Sequence, residues 1–205
     1  MSASEVRNVT FSLSRSRWAV IEAGVAAAAF VVLCVLVLRA SPYLPEPDDA
    51  AYRASIVAMT HGHFFTLSGA QAQALAEQVA PRPGLVGPGG GPIQWVQLAS
   101  GRWISEKDPG YPYLAVVFQT LGIIRLAPLF FGALACLALY FGAGRWLGRF
   151  GGAAAVGLYC SSGAAMEFAW RDYMPTFTDA SLIAAGTGAL LWALLATEAT
   201  TKRRT

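Results

Sequence analysis

The chain has 205 residues, 55% of them hydrophobic and only 13% charged, with a mean hydropathy of +0.47. A soluble domain carries about 25% charged residues, so this composition points to a membrane protein. The net charge of +3 is too small to suggest nucleic-acid binding, and the three cysteines lie inside apolar runs with no CxxC or Cys/His metal spacing, which excludes a cysteine-based zinc site.

The first 17 residues are polar and include Arg7, Arg15 and Arg17. "WAVIEAGVAAAAFVVLCVLVL" follows, Trp18 to Leu38. A run of this length reaches the roughly 20 residues needed to span the hydrocarbon core. It exceeds the apolar region of a signal peptide, about 7–15 residues, and no small-residue cleavage site follows, so it reads as an uncleaved anchor. Glu22 lies near one end of the run, where it faces a helix neighbour or snorkels outward.

A semi-polar stretch occupies about 40–122. "PEPDDAAYRASIVAMTHGHFF" predicts a short amphipathic helix with Ala51, Ile56 and Met59 on its apolar face. "PRPGLVGPGGGP", Pro81 to Pro92, sustains neither helix nor strand and predicts a loop. "IQWVQLASGRWI" predicts a short hairpin. "GYPYLAVVFQTLG", Gly110 to Gly122, is apolar but too short to cross. It suits a helix in the membrane interface, where Tyr111 and Tyr113 are at home. Three further spans are predicted, at about Leu126–Gly144, Gly151–Phe168 and Ala180–Ala196, rich in small residues that favour close helix packing.

The charges support this count. Four spans place the N-terminal segment, the "GRWLGRFG" turn with Arg145 and Arg149, and the tail with Lys202, Arg203 and Arg204 on one side, as the positive-inside rule requires. A crossing at Gly110–Gly122 would put the later arginines outside. The expected architecture is therefore an all-α integral membrane protein with about four transmembrane helices and a long outer loop carrying interfacial helices. Its segments are a cytosolic 1–17, a helix at 18–38, an extracytoplasmic loop at 39–125, a three-helix region at 126–197 and a basic cytosolic tail at 198–205. The expected location is the cytoplasmic membrane, multi-pass, with both termini cytosolic. The tail "TEATTKRRT" reads as a cytosolic end or a point of truncation.

Three charged clusters fall on the predicted outer side: Asp48-Asp49, Glu106-Lys107-Asp108, and Arg171, Asp172 and Asp179. Adjacent carboxylates suit a general base or oxygen ligation of a divalent cation. A nearby Lys or Arg suits a phosphate. The same residues also read as solvated loop charges near the headgroups. Asp179, ahead of "ASLIAAGTGALLWALLA", reads as a helix N-cap, and that role can coexist with a functional one. His61 and His63 form an HxH pair without a third ligand at a diagnostic spacing; a turn after the short helix explains them. "GPGGGP" has no following Lys-Ser/Thr and links no strand to a helix, so it is not a P-loop. The "NVT" at Asn8 is a sequon by pattern, on the predicted cytosolic side.

Taken in order, "PDDAAYRASIVAMTHGHFF", "GRWISEKDPGYPYLAVVFQTLG", "GRWLGRFGG" and "WRDYMPTFTDASL" resemble the N-terminal part of the GT-C superfamily of membrane glycosyltransferases. The likeness is to the protein O-mannosyltransferase and aminoarabinose transferase branch and covers most of Trp18 to Leu195. It implies a cell-envelope enzyme using a polyprenyl-phosphate sugar. Asp49, or Asp48, would be the catalytic carboxylate that deprotonates the acceptor hydroxyl, and Lys107 would contact the donor phosphate. Asp179 with Arg171 would line the cavity, and Asp108 and Tyr111 would complete the substrate-binding set. No cofactor beyond a divalent cation enters, and no metal ligand is assigned. Full members have many more spans and an outer C-terminal domain. The resemblance therefore implies a second membrane chain or a homo-oligomer that completes the site, or a chain that has lost catalysis and serves as an accessory subunit binding the lipid carrier or a partner protein. No charged residue lies deep in the three later spans, which argues against an ion pathway.

Overall fold

The computed structural model describes the backbone of residues 3–40, 46–79, 83–148 and 150–201, and the side chains of 17–40, 46–79, 84–148 and 150–196. The side chains of Arg7, Asn8 and Arg15, together with Arg149, Lys202, Arg203 and Arg204, lie outside the described residues. Among the described residues eight α-helices and one hairpin follow in chain order: α1 (Ala3–Arg39), α2 (Pro47–Thr60), α3 (Gly69–Val79), β1 (Trp95–Gln97), β2 (Trp103–Ser105), α4 (Gly110–Thr120), α5 (Leu126–Leu147), α6 (Gly151–Cys160), α7 (Gly163–Phe168) and α8 (Pro175–Thr201). They form two compact units, one of Met1–Val37, Phe131–Met166 and Ala180–Thr205, the other of Leu38–Phe130 and Glu167–Asp179.

Among the described residues three helices are long and apolar enough to cross a membrane: Arg17–Arg39 within α1, all of α5, and Pro175–Ala196 within α8. At 1.5 Å per residue the 22 residues of α5 extend about 33 Å, the thickness of a hydrocarbon core. Only 17% of the apolar window of α1 and 11% of that of α8 is buried within the chain, against 50% for α5. Most of the apolar surface of α1 and α8 is therefore left for lipid or another chain. The third expected span in chain order, Gly151–Phe168, differs. It is broken at Ser161-Ser162 into α6, with 10 residues, and α7, with 6, and neither is long enough alone. Two serines and Gly163 explain the break. The Ser161 hydroxyl donates to the carbonyl of Gly157, and Ser162 Oγ accepts from the backbone N–H of Ala165 at the start of α7. Such local bonds compete with an uninterrupted helix.

In the first unit, α5 and α8 cross at glycines. A Cβ on Gly142 would collide with the backbone carbonyl of Gly188, and one on Gly188 with the backbone of Ala138. Small residues let the two backbones meet, as in membrane helix pairs generally.

The second unit holds the polar stretch. α2 has Pro47 in its first turn, a position that needs no N–H bond, and Asp48 and Asp49 beside its N-terminus. Ala51, Ile56 and Met59 are all buried, as their spacing predicts, but burial extends around most of the helix from Asp49 to Met59. One core joins Ala54, Val57 and Ala58 of α2 to Leu75 and Val79 of α3, with Leu67, Trp95 and Trp103. A second joins Ile56 to Tyr111 and Ala115 of α4. The predicted hairpin is the antiparallel pair β1–β2, with Val96 opposite Ile104, so the chain is not wholly helical. The Pro/Gly loop is shaped by two short 3₁₀ turns, Pro83–Leu85 and Pro88–Gly90. Its Gly91 lies against the Trp103 ring, where a Cβ would come within 2.5 Å of Cζ3, so only glycine fits.

Candidate functional site

Four stretches of the second unit meet at the start of α2: residues 46–49, 94, 105–108 and 171–172. Each is positioned locally. Pro47 opens α2 and fixes the acidic residues in its first turn. The Ser55 hydroxyl, about two turns further on, bonds Ser105 Oγ at 3.0 Å, and Ser105 Oγ accepts from the backbone N–H of Lys107 at 3.1 Å. That relay ties the end of β2 to α2. Gln94, ahead of β1, holds φ at 57°, a left-handed conformation unusual outside glycine. Its side-chain amide donates to Asp48 Oδ1 at 2.8 Å. Strained residues of this kind are held in place by their surroundings and collect at functional sites.

The result is two adjoining ion pairs. Lys107 Nζ lies 2.7 Å from Asp48 Oδ1, 59 positions away in the chain. Arg171 Nη2 donates to Asp49 Oδ2, and to Glu46 Oε2 at 3.0 Å. The second pair is the more buried: the side chains of Arg171 and Asp49 are 9% and 7% exposed, whereas those of Lys107 and Asp48 are 21% and 45%. Lys107 also sits over the Tyr52 ring, 5.6 Å from its centroid. The hydrogen bond from Lys107, then that from Gln94, holds the Asp48 carboxyl below its usual range. Burial works against the charge of Arg171, and Asp49 and Glu46 outweigh it, so its pKa rises. Burial raises the Tyr52 phenol, and the charges of Asp108, Asp179 and Asp48 push it the same way. One hydroxyl thus feels a carboxylate from each of the three sequence clusters.

Asp172 lies beside this pair of ion pairs. Its Oδ2 is 3.8 Å from Arg125 Nε, and its Oδ1 is buried without a hydrogen-bond partner among the described residues. Burial, partly countered by Arg125 and reinforced by Asp49, pushes its carboxyl up to about 6. Arg125 also donates to the carbonyl of Ala40 at 3.1 Å.

The residues singled out from sequence fare differently. Asp48, Asp49, Lys107 and Arg171 come together directly. Asp108 is exposed, and its Oδ1 accepts from the N–H of Gly110 at 2.7 Å, shaping the bend into α4. Tyr111 is not at a surface. It is 4% exposed, and its hydroxyl donates to the backbone carbonyl of Asp172. Burial raises its phenol strongly. Tyr111 therefore anchors the 171–172 turn from the core rather than lining an open site. Asp179 is not an N-cap, because α8 begins four residues earlier at Pro175, a favoured first helical residue. It is exposed and makes no hydrogen bond or ion pair among the described residues. His61 closes α2, and His63 Nε2 meets the Gln71 side chain at 3.2 Å.

Glu46, Gln94, Tyr52 and Arg125 belong to the cluster without a sequence signal that assigns them to it, and Asp172 stands in the sequence only as one of the outer charges. Glu46 was visible as part of the acidic run "EPDD". Nothing local marks Gln94 or Arg125. Among the described residues no group of three or more His, Cys, Asp and Glu side chains is placed to hold a metal ion. Asp48 and Asp49 each face a cation of the chain itself, so the pair does not suit a divalent ion.

The fold and this cluster define a predominantly helical protein with three helices of membrane-spanning length and an ion-paired polar unit. Comparison with protein-family models, with curated proteins and with solved structures gives no match.

Proposed function

We propose that the chain is a GT-C-like glycosyltransferase module that moves a sugar from a polyprenyl-phosphate donor to an acceptor at the outer face of the cytoplasmic membrane. The observation that carries this reading is the Lys107–Asp48 contact beside Arg171–Asp49. Two carboxylates and two cations, drawn from distant parts of the chain, meet in the unit that also carries α4. That helix exposes Leu114 and Val117, with Leu121 exposed just past its end, and Tyr113 stacks on Phe64, an apolar face suited to the bilayer interface. In this reading four crossings occur, with α6 and α7 together making the third, and both termini are cytosolic.

Lys107 takes the donor phosphate and so releases Asp48. The freed carboxylate, or Asp49, accepts the proton of the acceptor hydroxyl. The acceptor oxygen forms the new bond to the anomeric carbon while the bond from that carbon to the phosphate oxygen breaks. Polyprenyl phosphate leaves with the electron pair, stabilised by Lys107 and Arg171. A second membrane chain or a further copy supplies the remaining cavity wall.

The test is transfer in proteoliposomes from a polyprenyl-phosphate sugar, read as release of polyprenyl phosphate. Lys107→Ala and Asp49→Asn are expected to lower the rate by about 10²-fold or more, with helix content unchanged by circular dichroism. Rates equal to that of the native protein in both folded variants would end the catalytic reading. A specific observation favours a second reading, a non-catalytic accessory subunit: Asp49 is buried on Arg171, which suits a structural lock. Polyprenyl-phosphate binding that is lost in Lys107→Ala, with no transfer by the native protein, would select it.

A further inference from the structure

Glu22 lies inside the candidate span of α1, and nothing in the proposed reaction uses it. An ionisable residue within a membrane segment generally marks a site. In the first unit it lines a cavity of ≈ 370 Å³ together with Tyr140, Arg145 and Trp192. Glu22 and Arg145 share that space without pairing with each other among the described residues. Arg145 instead lies over the Trp192 ring, 4.7 Å from its centroid. A second cavity of ≈ 430 Å³ shares Tyr140 and Phe141 with the first and is almost wholly apolar. Ala23, Ala26 and Ala27 of α1 face Ala133 and Leu137 of α5 there, and their small side chains leave a channel where larger ones would close it. Both volumes fall within the roughly 300–1,000 Å³ of small-molecule sites.

The two cavities ask for one occupant with three parts: an alkyl chain, an anion for Arg145 and a cation for Glu22. We infer that they bind a zwitterionic phospholipid with a primary ammonium headgroup, an ethanolamine phospholipid. The acyl chain fills the alanine-lined channel, the phosphate meets Arg145 and the ammonium meets Glu22. A headgroup with no cation leaves Glu22 beside a phosphate and is disfavoured by like charge. A choline headgroup cannot donate a hydrogen bond to Glu22, and the Trp192 face, the natural seat for a quaternary ammonium, is taken by Arg145.

The experiment is native mass spectrometry of the purified full chain in neutral detergent, titrated separately with phosphatidylethanolamine, phosphatidylcholine and phosphatidylglycerol of identical acyl chains. One phosphatidylethanolamine is expected to be retained about tenfold more tightly than either of the others, the value of one charge-assisted hydrogen bond. Glu22→Gln should bring phosphatidylethanolamine down to the phosphatidylcholine level, with an unchanged unfolding temperature. Ala27→Leu, which narrows the apolar channel, should weaken all three alike. Equal retention of the three lipids by the native protein would overturn the inference without any variant. So would an ethanolamine preference that survives Glu22→Gln.

Discussion

Replacing Arg171 by Met should destabilise the protein far more than loss of a surface ion pair would. Arg171 and Asp49 are 9% and 7% exposed, so both charges have left water. Removing the cation strands the Asp49 carboxylate in a poorly hydrated site, which costs about 3–5 kcal/mol. Glu46 adds little to that figure, since its side chain is 51% exposed. For a chain of this size each kcal/mol moves the unfolding midpoint by about 2–4 °C, so a fall of about 10 °C is expected. The assay is thermal unfolding in detergent, followed by circular dichroism and tryptophan emission. The decisive arm is the double variant Arg171→Met/Asp49→Leu, which removes both charges and should recover most of the loss, with a coupling of about 2 kcal/mol or more. A single-variant cost below about 1 kcal/mol, additive with Asp49→Leu, would refute the reasoning and reduce the pair to a surface contact.

Two smaller predictions follow from other side chains. The Asp172 carboxyl is pushed up from 3.8 to about 6, so the fold favours its neutral form; that contribution is complete below about pH 4 and is lost as pH rises through 6, amounting to about 3 kcal/mol. Asp172→Asn should therefore gain on the native protein in unfolding temperature between pH 4.5 and 7.5, and a difference that stays flat with pH would refute this. Ser68→Ala should cost about 1 kcal/mol, because Ser68 and Gln71 bond reciprocally across the first turn of α3, at 2.8 and 3.4 Å, and the loss should appear as faster amide exchange in Gly69–Val79.

Much of the architecture was legible because it rests on local pattern. Apolar length marked α1, α5 and α8, and the spacing of Ala51, Ile56 and Met59 marked α2. Alternation around "SGR" marked the hairpin. α3 was missed although Ser68 and Gln71 carry the spacing of a capping box, since its alanine- and glutamine-rich surface has little apolar contrast. The break between α6 and α7 was hidden for the opposite reason: composition stays apolar across it, and only the bonding of Ser161 and Ser162 reveals it. The ion pairs are a different matter. That charges near Asp48, Lys107 and Arg171 would meet was an expectation drawn from topology and resemblance. Which cation takes which carboxylate depends on tertiary packing, on the Ser55–Ser105–Lys107 relay and on the left-handed Gln94, none of which has a sequence period. Tyr111 shows the same limit, since a tyrosine suited to an interface by composition is instead a core anchor.

The indole of Trp103 lies on Gly91 and comes within 3.2 Å of where a Cβ on Gly89 would stand, while its backbone exchanges hydrogen bonds with Leu67 at 2.8 and 2.9 Å. Five of the nine residues of the Pro83–Gly91 segment are glycines, so few side chains of its own hold its shape, the buried Leu85 among them. Backbone hydrogen bonds between Gly87 and Gly91 hold part of its shape, and an aromatic plate on a neighbouring strand holds the rest. Damage to that strand would thus surface first as protease nicks in a stretch that was never altered.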